Sequence, residues 1–223
     1  METGRIKAVL FDLDGTLVDS IPDLAEACHR MMVDLGRPPH SVERVRTFVG
    51  KGMLNLVRRC LGADENTPQA EIDAAVARFR HHYAQVNGEQ SLLYPGVREG
   101  LEQLQAAGLP LACVTNKPEE FTFTLLEKLD LARYFAATVG GDTLPHKKPH
   151  PAPLQHACAA LGVAVQQALM VGDSANDAQA AQACGMPVVL VPYGYSEGVL
   201  VDSIKCDGLV SSLIELPLLL QRI

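Results

Sequence analysis

Two aspartates one residue apart, Asp12 and Asp14, close an apolar run that contains Ile6, Ala8, Val9, Leu10 and Phe11. Gly15 and Thr16 follow at once. The pattern reads as a buried strand that ends in carboxylates. In an open α/β sheet, ligands bind just outside the carboxyl ends of the strands. Two acids at such an edge repel unless a cation or a proton sits between them. Three later segments end on polar groups in the same way. Val114-Thr115-Asn116 offers a hydroxyl and an amide, Lys147-Lys148-Pro149 a cation, and Gly172-Asp173-Ser174-Ala175-Asn176-Asp177 two further acids. Parallel strands would bring all of them to one edge.

That set suits phosphoryl transfer. Clustered aspartates offer only hard oxygen ligands, so the expected cofactor is a hard divalent cation, Mg²⁺. It would neutralise phosphate oxygens and let a carboxylate approach a dianion. Asp12 is the expected nucleophile, forming an acyl phosphate. Asp14 would protonate the leaving oxygen and later deprotonate the attacking water. Thr115 and Asn116 would donate to phosphoryl oxygens, and Lys148 would add positive charge and orient Asp12. Asp173 would complete the metal site with Asp177 behind it. Gly15, Thr16 and Asn116 are expected to touch substrate.

The elements that must position these groups are legible as alternating patterns. Continuous apolar segments at 7–11, 109–115, 136–139, 168–172 and 187–192 read as interior parallel strands. Between them 96–107, 118–129, 153–161 and 175–183 read as helices, three of them stopping at Gly108, Gly162 and Gly185. Such alternation implies βαβ units and a Rossmann-like parallel-sheet core. Residues 17–90 break it. No good strand is visible there, and 22–35, 52–61 and 69–87 read as helices. The expected organisation is therefore core at 1–16, an inserted α-helical cap at 17–90 and the rest of the core at 91–223. An insert of about 70 residues directly after the acidic strand end is placed to serve as a lid.

Composition narrows the partners. The 223 residues carry a net charge of −7, which argues against nucleic acid. A small phosphorylated acid remains possible, because a metal ion and a few basic groups can invert the sign of one pocket. Six scattered cysteines without a CxxC pair read as buried thiols of a reducing compartment. Glu2 and Arg5 flank a start too short for a secretory leader, and Glu215 and Pro217 interrupt the closing apolar stretch. The expectation is a cytoplasmic protein without a membrane partner, either a monomer or a homodimer. His146 and His150 stand four apart like zinc ligands, but Pro149 disfavours the helix that would align them.

The ordered motifs carry a family resemblance. Asp12-Leu-Asp14-Gly15-Thr16-Leu-Val-Asp19, Thr115-Asn116, Lys148-Pro149 and Gly172-Asp173 to Asp177 resemble the four motifs of the haloacid dehalogenase-like superfamily, and the match runs over the whole chain. The resemblance implies a helical cap between the first two motifs. It also implies Mg²⁺ held by the side chains of Asp12 and Asp173 and the backbone carbonyl of Asp14. The dehalogenases of that superfamily lack the second acid of the first motif, so Asp14 points to phosphate. Finer details, Val49-Gly50-Lys51-Gly52, Tyr94-Pro95-Gly96-Val97, Thr115 to Pro118 and Lys148 to Pro153, most resemble bacterial phosphoglycolate phosphatases. They imply 2-phosphoglycolate as substrate. A sugar phosphate or nucleotide phosphatase, or a mutase, is the alternative; a non-catalytic phosphate binder is disfavoured because both acids are intact. Lys51, on a flexible cationic tip leading into a helix, or the N-terminus of that helix, is the expected contact for the substrate's carboxylate.

Overall fold

The computed structural model describes residues 6–220. Glu2 and Arg5, read above as flanking a short start, and the end of the closing apolar stretch at 221–223 lie outside the described residues. Along the chain, β1 (Ala8–Phe11) and β2 (Val18–Asp19) precede four helices, α1 (Ile21–Asp34), α2 (Val42–Arg46), α3 (Met53–Leu61) and α4 (Gln69–Val86). After β3 (Leu92–Leu93) come α5 (Val97–Ala106), β4 (Leu111–Val114), α6 (Glu119–Lys128) and β5 (Phe135–Val139). The chain continues with α7 (Ala152–Leu161), β6 (Ala168–Gly172), α8 (Ala175–Cys184), β7 (Val188–Leu190), β8 (Gly208–Leu209) and α9 (Leu216–Leu220).

Six strands form one parallel sheet in the order β5-β4-β1-β6-β7-β8. The continuous apolar runs follow from burial on both faces. On β1, Val9 and Phe11 join one core layer, with Leu101 and Leu104 of α5 and Leu125 of α6. Ala8 and Leu10 join the opposite layer, with Leu154 of α7 and Ala181 of α8. Every residue of β1, β4 and β6 is buried, so the strands show no polar alternation. β1 lies between β4 and β6, where connections leave toward opposite edges, and the crevice beyond its carboxyl end is the ligand position of such sheets.

The helical insert has its own core. Ile72, Ala75, Phe79, Tyr83 and Val86 of α4 recur at helical spacing and are buried. They meet α1, whose Leu24, Cys28, Met31 and Met32 are buried in the same way. Met31 and Met32 are thus packing residues of one cluster. Asp23 is fully buried and accepts hydrogen bonds from the backbone N–H groups of Gly88, Gln90 and Ser91. It fixes the chain where α4 returns toward the sheet.

Several short elements depart from the sequence reading. Residues 17–90 do contain strand: Val18–Asp19 pairs antiparallel with Leu92–Leu93. Two residues carry no periodicity, so only pairing reveals them. The same holds for β8, two residues beside β7. Helix α2 is likewise too short to announce itself by a repeat, although Ser41 caps it through Arg44 N–H. His146 and His150 stack ring on ring, with centroids 4.2 Å apart, in a loop before α7.

Candidate active site

Three strand ends build the site. Asp12, Thr115 and Asp173 each stand one residue beyond their strand, β1, β4 and β6. Register brings them within one residue of one another, because Phe11 pairs with both Cys113 and Val171. Lys148 arrives from the loop after β5. Its ammonium is buried, 3.0 Å from Asp12 Oδ1 and 2.7 Å from Asp177 Oδ1, and donates to the Val114 carbonyl at 2.6 Å. Asp177 is held in turn by N-terminal groups of α8, accepting from Ser174 N–H at 3.1 Å and Ser174 Oγ at 2.8 Å. Asp173 accepts from Tyr195 N–H at 2.7 Å and Thr16 Oγ1 at 3.1 Å.

These carboxylates outnumber the cation among them. Burial is the largest influence on Asp12 and, with the charge of Asp177, outweighs the pull of Lys148, so its carboxyl is pushed up to about 6. Burial, then the charges of Asp177 and Asp12, pushes Asp173 well above the usual carboxylate range. Burial opposes the charge on Lys148, but Asp12 and Asp177 overcome it and raise its affinity for the proton. Among the described residues, Asp12, Asp173 and Asp177 offer oxygens that lie within 4.8 Å of one another. Acids pressed together with this excess of negative charge fit a cation, and an all-oxygen set fits a hard divalent one. Lys148 and Ser174 occupy the two oxygens of Asp177, and Tyr195 and Thr16 those of Asp173, whereas Leu13 N–H and Lys148 both meet Oδ1 of Asp12.

Glycines make the approach possible. Gly15 has φ +90°, and a Cβ there would lie 2.3 Å from Asp173 Oδ2. At Gly172 a Cβ would lie 2.3 Å from Asp177 Cγ. Side chains at either position would push the acids off this edge.

Several expected contacts are placed differently. Thr16 is fully buried and its hydroxyl is spent on Asp173, so it supports an acid rather than facing substrate. Gly15 shapes the same carboxylate's surroundings. The Asn116 amide nitrogen donates to the carbonyls of Gly50 and Lys148, at 3.0 and 2.9 Å, so it is not free for a phosphoryl oxygen. Thr115 keeps its expected position: it lines the pocket, and its Oγ accepts from Lys117 N–H at 3.3 Å, leaving its own proton to donate. Lys51 is outside the pocket lining. Its ammonium pairs with Glu197 Oε2 at 3.0 Å, and Arg59 lies 3.6 Å from the same oxygen. Glu197 also accepts from Asn176 of α8 at 2.9 Å, so it ties the insert to the sheet domain.

Asp14, the expected acid–base group, is already paired. Its carboxylate is not free. Both oxygens lie 3.1 Å from Lys117 Nζ, and Oδ1 accepts from Ser20 Oγ at 2.7 Å. Lys117 is buried and also donates to the hydroxyl of Tyr83, on α4. Sequence reasoning missed Lys117, Tyr83, Tyr195 and Glu197. Lys117 had a signal, standing two residues past Thr115 beyond a buried strand. Tyr83 had a weaker one, a polar tip within an otherwise apolar helical stripe. Asp12, Asp14, Thr115, Asn116 and Lys117 form the sheet-side wall of one pocket, and Leu24, Met53, Phe79 and Tyr83 lie on the helical side.

A sequence model of the haloacid dehalogenase-like hydrolases matches residues 9–191, a span that holds every one of these strand ends. The chain belongs to the haloacid dehalogenase-like hydrolases. Among relatives in this family, a phosphoglycolate phosphatase of Thiobacillus denitrificans is 46% identical over 219 residues, covering 97% of this chain and 96% of its own. A plasmid-borne phosphoglycolate phosphatase of Cupriavidus necator is 47% identical over 213 residues, covering 96% and 92%. The crystal structure of a predicted phosphoglycolate phosphatase from Haemophilus somnus 129PT superposes with a TM-score of 0.90 at 35% identity, covering 97% of this chain and 98% of that one. This haloacid dehalogenase-like fold is therefore shared over nearly its whole length. No helix among the described residues is long and apolar enough to cross a membrane.

Proposed function

We propose that this chain is a Mg²⁺-dependent phosphatase that hydrolyses 2-phosphoglycolate to glycolate and phosphate through an aspartyl-phosphate on Asp12. The observation that carries the reading is the crowding of Asp12, Asp173 and Asp177 around a single buried Lys148 at adjacent strand ends. The choice of substrate rests on relatives near 46% identity that carry the name phosphoglycolate phosphatase over almost the same length.

Asp12 and Asp173, with the Asp14 carbonyl, would hold the ion, which supplies positive charge against the phosphoryl oxygens. Lys148 neutralises and aims Asp12, so that its oxygen meets phosphorus in line with the leaving oxygen. Thr115 donates its hydroxyl proton to a phosphoryl oxygen. Asp14 donates a proton to the departing glycolate oxygen and then takes one from the water that cleaves the acyl phosphate. Helices α1–α4 act as a cap over this pocket, joined to the core through the β2–β3 pair. Six unpaired cysteines support a reducing, cytoplasmic setting.

A screen of phosphate esters with Mg²⁺, ranked by kcat/KM, tests the reading. Phosphoglycolate is expected at the top. A flat profile, or a preference for sugar phosphates, would overturn the substrate and leave the chemistry standing. Absence of any Mg²⁺-dependent phosphatase activity would overturn both.

A further inference from the structure

Lys51 was the expected partner for the substrate's carboxylate, yet it is taken by Glu197 and lies outside the pocket. The pocket wall carries a different cation. Of the residues that line it, only Lys117 has a positive side chain. Its ammonium is 3.1 Å from both oxygens of Asp14, is bonded to the Tyr83 hydroxyl, and sits 4.7 Å from that ring's centroid. The rest of the helical side, including Leu24, Leu56 and Phe79, is apolar, and Phe121 of α6 adds to it. Such a wall rejects an anion everywhere except at Lys117.

We infer that Lys117, with the Tyr83 hydroxyl beside it, receives the carboxylate of the leaving group and selects phosphate esters of short 2-hydroxy acids. The inference rests on the phosphatase reading above and deepens it. Distance along the substrate is the argument. Asp14 must touch the leaving oxygen, so Lys117, in contact with Asp14, sits beside whatever is bonded nearest to that oxygen. In phosphoglycolate the carboxylate carbon is two bonds from the ester oxygen. A longer acid would carry its charge past Lys117 into the apolar wall. A sugar phosphate would place an uncharged carbon or hydroxyl against the ammonium.

The arriving carboxylate replaces Asp14 as the counterion of Lys117, which leaves Asp14 to the leaving oxygen. The displaced Asp14 carboxylate takes up a proton from solvent, the one it then gives to the leaving oxygen, so the exchange strands no charge. Tyr83 belongs to α4 and Lys117 to the loop after β4, so one substrate carboxylate engages both the insert and the sheet domain. Specificity and closure of the insert would thereby depend on the same contact.

The test compares phosphoglycolate with 2-hydroxyethyl phosphate, of similar length but with an uncharged leaving group. The readout is the ratio of their kcat/KM values, in which any general damage to Asp14 cancels. Lys117→Met is expected to lower that ratio by about 30-fold, the worth of one charged hydrogen bond. Tyr83→Phe, which keeps the ring and guards against a misfolded lysine variant, is expected to lower it by about 5-fold. Lys51→Met is expected to leave it within about 3-fold, as for an exposed ion pair. An unchanged ratio in Lys117→Met, or a larger drop in Lys51→Met, overturns the assignment to Lys117. A wild-type enzyme with no preference for phosphoglycolate overturns the substrate reading instead.

Discussion

Lys148 and Asp177 form a fully buried ion pair, 2.7 Å between Nζ and Oδ1, and Asp177 anchors that lysine beneath the proposed nucleophile. The lysine comes from a loop and the acid from the first turn of α8. Neither would stay buried without the other, because an unpaired charge in this interior costs several kcal/mol. Two carboxylates share the lysine, so its removal would leave both Asp12 and Asp177 uncompensated.

Lys148→Met should therefore lose activity and also stability, by about 3–5 kcal/mol near neutral pH. Without the ammonium, which pulls its affinity for the proton down, Asp12 holds its proton more tightly in the folded state. Groups whose folded pKa is raised contribute stability that is present at low pH and lost as pH rises through that pKa. The deficit should shrink in acid. Denaturant unfolding at about pH 5 and pH 8 checks this. An equal deficit at both pH values would show that the lysine acts by packing alone.

Asp12→Asn should lower kcat by at least about 10³-fold, as for loss of a nucleophile. Stability should hold or rise. The carboxyl of Asp12 is pushed up to about 6 by burial, so carrying its charge at neutral pH costs the folded state stability, and an amide removes that cost. Thermal unfolding beside single-turnover kinetics checks both. A variant that keeps near-wild-type turnover would remove Asp12 from the chemistry.

Metal binding should depend on pH in a set direction. In the metal-free protein the contribution of Asp12 is full below its unfolded value of 3.8 and is lost as pH rises through about 6; Asp173 shifts the same way. A divalent cation competes with those protons. Mg²⁺ should add little stability at about pH 5 and, at saturation, about 2–4 kcal/mol above pH 7. Melting curves with and without Mg²⁺ measure the increment. A gain of the same size at both pH values would exclude these acids as the ligands.

Gly15→Ala should damage the site. Its Cβ would fall 2.3 Å from Asp173 Oδ2 at φ +90°, and overpacking of this kind costs about 1–3 kcal/mol. The stabilisation by Mg²⁺ should fall with activity, because Asp173 is displaced. Gly162→Ala is the control. It has φ +69° with open space around it, so it should cost about 1 kcal/mol of backbone strain and leave Mg²⁺ affinity alone. Equal effects of the two variants would show that crowding at Asp173 is not what Gly15 prevents.

Strand ends were readable because burial on both faces leaves continuous apolar runs, and the first polar residue after each run is forced to the edge. Asp12, Thr115 and Asp173 all follow that rule. The β2–β3 pair was not readable. Val18 and Asp19 look like any short connection until Leu92 and Leu93 lie beside them. Lys51 shows the other limit. A lysine on a glycine-rich tip is free to reach a substrate by its sequence, but Glu197, distant in the chain, reaches it first.

The sequence by itself determined the alternating α/β core, the helical insert and the order in which acids, hydroxyl and lysine meet one edge. Those follow from local patterns of burial and from residue type. Tertiary structure alone decided which polar groups are spent on one another: Thr16 on Asp173, Asn116 on two carbonyls, and Lys117 on Asp14. The physical reason is that a hydrogen bond or ion pair forms only within about 3 Å. A chain of similar donors and acceptors does not state which of them folding brings that close.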